Sequence, residues 1–363
     1  EEFALPALAV GVYLTLAAMT RAEEKTRGRM LGFGAAAGWV FLIKYTDIGL
    51  FAGLGVCLLA FVWRREGFGR ALLAAGRMLL GAALVCAPVA AYLAVNGALG
   101  ACVEVYFVQN LFDYSGMPMS LTGHVYNALA YLRTQSVINP AVTVLVALGA
   151  GFVLLDAAKR HEKGWVWQTL ALPMGAGLLL LTCYWGEMAH PYYALAFAGL
   201  CAPGLIPLAW LANRAERRGL FAWMLPMAGV LAVTPTCMGL CRAVPLMQVR
   251  KADMPQTVFA EMMNREGNPT LLDITSLDQG FYLAAGIVPN CRYFADNNLQ
   301  TKEKKEAIAS YLAEGKTQFV VTRYADPGER YALIAEADGV FDLNDMRHYK
   351  LYERIEENDR ILP

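Results

Sequence analysis

The chain has 363 residues, of which 57% are hydrophobic and 17% charged, and its mean hydropathy is +0.38. That composition excludes an ordinary water-soluble globular protein. The formal net charge of zero hides an uneven distribution, with basic residues crowded into loops of the first part and acidic residues gathered towards the end, so net charge says little about partners; no nucleic acid is expected among them.

In chain order, apolar stretches read as about eight membrane helices, over residues 3–19, 30–43, 48–63, 71–95, 140–156, 165–185, 192–212 and 221–241. Four basic clusters lie between them, at Arg21 to Arg29, Arg64 to Arg70, Lys159 to Lys163 and Arg214 to Arg218. Such clusters mark the cytoplasmic side. Residues 44–47, 96–139 and 186–191 then lie outside, together with both chain ends. The chain opens at Glu1 immediately before an apolar helix, with no signal-peptide n-region, which leads us to expect further residues upstream.

Beyond Arg242 the sequence becomes charged and mixed. Short apolar runs at residues 270–274, 292–295, 318–322 and 349–352 alternate with helical patterns at 257–264, 301–313 and 329–337. That alternation predicts a small α/β layer. The expected organisation is therefore a polytopic α-helical membrane domain, residues 1–243, with an outer loop at 96–139, followed by a soluble extracytoplasmic α/β domain at 244–363.

Of eight cysteines, Cys57, Cys86, Cys183, Cys201 and Cys237 fall inside predicted membrane helices, and no C-x-x-C pair occurs. Cys237 and Cys241 are one helical turn apart, yet no histidine or carboxylate lies beside them, so packing is the reading. Cys102 and Cys291 fall outside the membrane.

The sharpest chemical feature of the membrane part is Lys44-Tyr45-Thr46-Asp47, which splits an apolar run into a tight helical hairpin. About 15 helical residues after Arg29 rise roughly 22 Å, less than the ~30 Å hydrocarbon core, so Lys44 should be recessed below the outer surface. A lysine at that depth either faces water, a partner or an anionic ligand, or else pairs with Asp47 or snorkels outward. Gly34 and Gly38 on the preceding helix fit close helix packing.

A second cluster runs from Trp185 to Tyr193, with Glu187, His190, Tyr192 and Tyr193. Histidine can donate to a phosphate or hydroxyl, glutamate can act as a base, and the tyrosines can bond to or stack on a sugar. The alternative is an interfacial aromatic belt with a turn-capping His-Pro pair. Both clusters open onto the predicted outer face. The loop at 96–139 has the pattern of an amphipathic segment on the membrane surface, and Arg133, its single basic residue, is a candidate for an anionic group.

The helix ending Phe41-Leu42-Ile43-Lys44-Tyr45-Thr46, the turn His190-Pro191-Tyr192-Tyr193, and Glu1 and Glu2 opening a helix together resemble GT-C superfamily glycosyltransferases, in particular bacterial members related to protein mannosyltransferases and the aminoarabinose transferase of lipid A. The resemblance implies transfer of a sugar from a polyprenyl-phosphate donor to a lipid, glycan or protein acceptor, at the outer face of a bacterial inner (plasma) membrane. Lys44, with Arg133, would bind the donor phosphate, and His190, Tyr192, Tyr193 and Glu187 the substrate. No cofactor is required by this reading, and a divalent metal is compatible with it.

The family's principal catalytic carboxylate lies in the first outer loop, which has no counterpart here, so either N-terminal helices are missing, the preferred expectation given the start at Glu1, or the chain is not an active enzyme alone. Glu1 or Glu2 would correspond to a further acidic position that binds acceptor or orients the base; each equally suits the dipole of the helix it opens. Two other classes compete. Lys44 and Glu187 within a helical bundle would also suit a secondary transporter, although no inverted repeat is visible. A membrane-anchored binding protein would place its function in the last 120 residues.

Overall fold

A computed structural model describes residues 2–20, 26–113, 120–160, 163–185, 191–216, 227, 231, 235, 238–239, 244–275, 279–294, 301–342 and 345–355. The chain divides into two compact units, Glu1–Trp223 and Met224–Pro363.

The first unit is helical: α1 (Leu5–Thr20), α2 (Thr26–Ile43), α3 (Ile48–Glu66), α4 (Phe68–Val95), α5 (Leu99–Cys102), a π-helical segment at Val103–Asp113, α6 (Leu121–Ile138), α7 (Pro140–Arg160) and α8 (Trp165–Cys183). A 3-10 segment at Pro191–Gly204 then leads into α9 (Leu205–Glu216). Among the described residues six helical stretches are long and apolar enough to cross a membrane: Glu2–Thr20, Tyr45–Glu66, Phe68–Val95, Pro140–Arg160, Trp165–Cys183 and Tyr192–Trp210. This is the architecture of a multi-pass helical membrane protein. Of the eight expected spans, the one at 30–43 forms α2, but two arginines and four glycines dilute its apolar character. The one at 221–241 lies, apart from a few positions, outside the described residues.

Without a hydrophobic driving force between helices in lipid, close backbone approach must hold such a bundle. Glycines supply it. A Cβ at Gly34 would overlap the Met78 carbonyl of α4, one at Gly38 would lie 2.8 Å from Ala82 O, and one at Gly81 would overlap Leu31 O of α2. The close-packing reading of Gly34 and Gly38 thus holds. Gly49 and Gly53 press α3 in the same way against Leu178 and Met174 of α8. The core between them contains Leu8, Met30, Val40, Leu54, Leu58, Leu179 and Tyr184. α4 presents Leu72, Leu79, Leu80, Leu84 and Val95 outward, an apolar surface suited to lipid. Gly67, at φ +98°, ends α3 by donating its N–H to Trp63 O, and α4 starts at the next residue.

The second unit contains α10 (Pro255–Met263), β1 (Leu271–Asp273), α11 (Phe281–Ala285), α12 (Lys302–Ala313), β2 (Phe319–Thr322), β3 (Tyr331–Asp342) and β4 (Asp345–Arg354). The sheet order is β1-β2-β4-β3, with β1 and β2 parallel and the other pairs antiparallel. β1 and β2 are wholly buried, and α10 and α11 cover them through Phe259, Met263, Phe281 and Tyr282. The expected small α/β domain is present.

Two of its elements differ from expectation. Residues 329–337, with three alanines and two glutamates, are expected as a helix, but 331–337 belong to β3 and 329–330 form the turn before it. Pairing along β4 overrides the helical propensity of this segment, because Glu336 meets Lys350 and Asp338 meets His348 across the ladder. Its burial alternates from Ala335 to Val340 with the period of two that marks a half-buried strand. The run at 292–295 was expected as a strand, and its described residues form a turn.

Candidate functional site

α2 ends where Ile43 gives way to Lys44, whose extended backbone (φ −156°, ψ 96°) leads into a single 3-10 turn at Tyr45–Asp47 before α3 begins. This tight corner throws Lys44 and Asp47 to the same side, three residues apart. The Lys44 ammonium lies 3.8 Å from Asp47 Oδ1, with side-chain exposures of 15% and 1%. Asp47 also accepts from the Cys183 thiol of α8, 3.3 Å away. The carboxylate is thus held between α8 and the corner, and the pairing alternative raised from sequence is realised.

The same ammonium lies 3.9 Å from the centroid of the Tyr193 ring and 5.6 Å from that of Tyr192. The hairpin corner and the Pro191-Tyr192-Tyr193 turn, distant in sequence, therefore meet. A lysine over an aromatic face gains from the ring quadrupole, most where water is excluded. Tyr193 continues into a wider aromatic group: Tyr184, 1% exposed, lies 6.1 Å from Tyr193, 5.0 Å from Tyr131 and 6.5 Å from Phe197.

Two further segments complete the surroundings. The π-helical segment packs on the corner, with the Phe107 ring stacked 5.5 Å from Phe41 and 5.7 Å from Tyr45. Tyr106 Oη donates to Phe41 O at 3.2 Å and accepts from Tyr45 N–H at 3.3 Å, satisfying backbone groups that the end of α2 leaves open. The segment expected to lie on the membrane surface is thus anchored to the corner by an aromatic and a hydrogen bond. α6 turns one face inward: His124, Ala128 and Tyr131 follow helical spacing, His124 stacks 4.1 Å from Trp185 and bonds its carbonyl, and Tyr131 meets Tyr184. Ser120 caps this helix by accepting from Gly123 N–H at 3.2 Å.

Of the residues singled out from sequence, Lys44, Tyr192 and Tyr193 come together. Arg133 is exposed, two positions from Tyr131 and so on the opposite side of α6. Glu2 is exposed in the turn before α1 and has no ion pair among the described residues. The chain start is tied to α2 by the Trp39 indole, which donates to Phe3 O at 3.0 Å. Glu1, Glu187 and His190 lie outside the described residues.

Sequence reasoning gave Tyr106 and Tyr131 no particular role and only placed Cys183 inside a predicted membrane helix. The signal for Tyr131 was its seven-residue spacing from His124, two helical turns along one face. Thr46 Oγ1 adds a further feature, being buried at the corner with no hydrogen-bond partner among the described residues. A buried polar oxygen of this kind is normally met by water or ligand.

Among the described residues no group of three or more His, Cys, Asp or Glu is placed to hold a metal ion. In the second unit Asp273, at the end of β1, accepts from the Thr275 amide at 2.9 Å and hydroxyl at 2.6 Å. It organises a turn.

These features define a multi-pass helical protein with a lysine–carboxylate pair and an aromatic wall at one end of its bundle. Comparison with protein-family models, characterised proteins and solved structures yields no match.

Proposed function

We propose that the first unit is a membrane glycosyltransferase that takes a sugar from a polyprenyl-phosphate donor and passes it to a lipid, glycan or protein acceptor. The observation that carries this reading is the placement of Lys44: nearly buried, braced by Asp47, and set against the faces of Tyr192 and Tyr193. A donor of this kind brings a phosphate, a sugar and a long apolar tail to one place, and needs a cation, aromatic faces and a lipid-exposed helical wall in that order. The resemblance of the Lys44 and Pro191-Tyr192-Tyr193 segments to GT-C enzymes supports the same reading.

In this mechanism the bond between the anomeric carbon and the phosphate oxygen breaks while the acceptor oxygen forms the new glycosidic bond. The leaving lipid phosphate gains one negative charge, which the Lys44 ammonium offsets in a site of low dielectric. Asp47, 3.8 Å away, fixes the position of the ammonium. Tyr192 and Tyr193 hold the sugar by stacking and hydrogen bonding. The acceptor's proton passes to a carboxylate, for which Glu1, Glu2 and Glu187 are the candidates. The reaction belongs to the outer leaflet of a bacterial inner membrane in this proposal, with the second unit outside.

The test uses the full chain in detergent with a long-chain polyprenyl phosphate and its radiolabelled sugar-bearing form. Lys44→Gln alone strands a buried carboxylate, so the informative variant is Lys44→Gln with Asp47→Asn. We expect it to fold, bind the polyprenyl phosphate at least about tenfold less tightly and transfer no label, and Tyr193→Leu to weaken binding by a smaller factor. Unchanged lipid binding in both variants would sink the proposal. Label that appears across a sealed vesicle without joining an acceptor would favour the transporter.

A further inference from the structure

At the far end of α2 and α3 from Lys44, roughly 25 Å away along α2, lies a cavity of about 460 Å³. Its size falls within the range of small-ligand sites. Arg27 reaches it from α2, Arg65 from α3, and Arg70 and Arg77 from one face of α4, two turns apart, with Glu66 the one carboxylate among its lining residues. Among the described residues Arg27, Arg70 and Arg77 form no ion pair. Beneath them the cavity is lined by Met30 and Val62, 0% and 4% exposed.

Basic residues at the inner ends of membrane helices commonly do no more than orient the chain, and for that purpose they need only be in a loop. Here the side chains come from three packed helices and converge on one concavity, which places like charges together over an apolar floor. That arrangement raises their energy unless an anion occupies it. Guanidinium groups suit phosphate in particular, because their forked donors match its oxygens. The next residues along α4, Leu72, Leu73 and Leu80, are exposed apolar surface, so a phosphate in the cavity can carry acyl chains lying along that helix.

We propose that this cavity is a second, separate anion site that takes a phosphate-bearing headgroup, in the form of an anionic phospholipid. It is independent of the Lys44 reading, since it shares no residue with it and lies at the other end of the hairpin.

The test is native mass spectrometry and thermal unfolding of the full chain in zwitterionic detergent, titrated with phosphatidylglycerol, phosphatidylcholine or inorganic pyrophosphate. The variants are Arg70→Gln with Arg77→Gln, and Arg64→Gln as a control of equal chemistry outside the cavity. We expect the wild type and Arg64→Gln to retain phosphatidylglycerol and gain thermal stability from it, with apparent affinity falling roughly thirtyfold in the double variant, the expected effect of two interfacial cations. Protection by pyrophosphate that the same double variant loses would support the site with a soluble phosphate as its ligand. Equal retention in all three proteins, or phosphatidylcholine bound as well as phosphatidylglycerol, would overturn the proposal. Should the double variant fail to fold, Arg27→Gln, exposed in the first turn of α2, provides the same comparison with a smaller expected loss.

Discussion

The Lys44 ammonium sits 3.9 Å from the centre of the Tyr193 ring, joining the corner of the first hairpin to the start of a 3-10 segment far along the chain. Asp47, a partner within the same corner, lies 3.8 Å from it. One cation thus links local and distant structure.

The pair should behave as a unit. Lys44→Gln leaves the Asp47 carboxylate buried with its cation gone and should cost about 3 kcal/mol, the lower end of the range for broken buried pairs, because Lys44 retains some solvent contact. Adding Asp47→Asn should recover most of that loss. Thermal unfolding of both variants in the same detergent measures the difference, and equal destabilisation of the two would show that the pair is not coupled.

Glycines of the bundle should divide sharply by what surrounds them. Gly34→Ala drives a methyl into the Met78 carbonyl and should cost about 3 kcal/mol or prevent folding. Gly76→Ala, in α4 with nothing within 4 Å of the added atom, should instead be neutral or stabilise by about 0.5–1 kcal/mol. Size-exclusion profiles and melting temperatures of the two proteins check this.

Tyr106→Phe keeps the ring packing on Tyr45 but removes the hydroxyl that bonds Phe41 O and Tyr45 N–H. The expected loss is about 1 kcal/mol. It should appear locally, as faster amide exchange at Tyr45 in hydrogen-exchange mass spectrometry, with residues of α8 unchanged.

In the second unit, His348 Nδ1 lies 2.8 Å from Asp338 across the β3–β4 ladder, and its Nε2 lies 3.6 Å from Glu336. The hydrogen bond to Asp338, aided by Glu336, raises the imidazole above its ordinary value despite some desolvation. The charged form is favoured in the folded hairpin, so the stabilisation is complete below the unfolded value of about 6.5 and fades as pH rises through the higher folded one. An NMR titration of His348 should show the raised midpoint, and Asp338→Asn should bring it back towards the ordinary value. The effect on stability is small, since the group is exposed to solvent.

The membrane class, the hairpin at 44–47, the glycine contacts of α2 and the small α/β domain were all legible in the amino-acid sequence. Each depends on a property that adds along the chain: hydropathy over a span, charge at its ends, or small residues spaced by a helical turn. The same kind of reading failed for β3, because helix propensity is a local preference of order tenths of a kcal/mol per residue and a paired partner strand overrides it.

Tertiary structure alone decided what surrounds the candidate site. Sequence placed Lys44 at a corner but left its partner open among Asp47, solvent and an anion, and it ranked Arg133 beside it. Packing of α3 on α8 through Gly49 and Gly53 brings Cys183 to Asp47, and the rotation of α6 turns Tyr131 inward and Arg133 away. These outcomes depend on which helices meet and at what angle about their axes. That is set by shape complementarity between residues far apart in the chain, which no local pattern records.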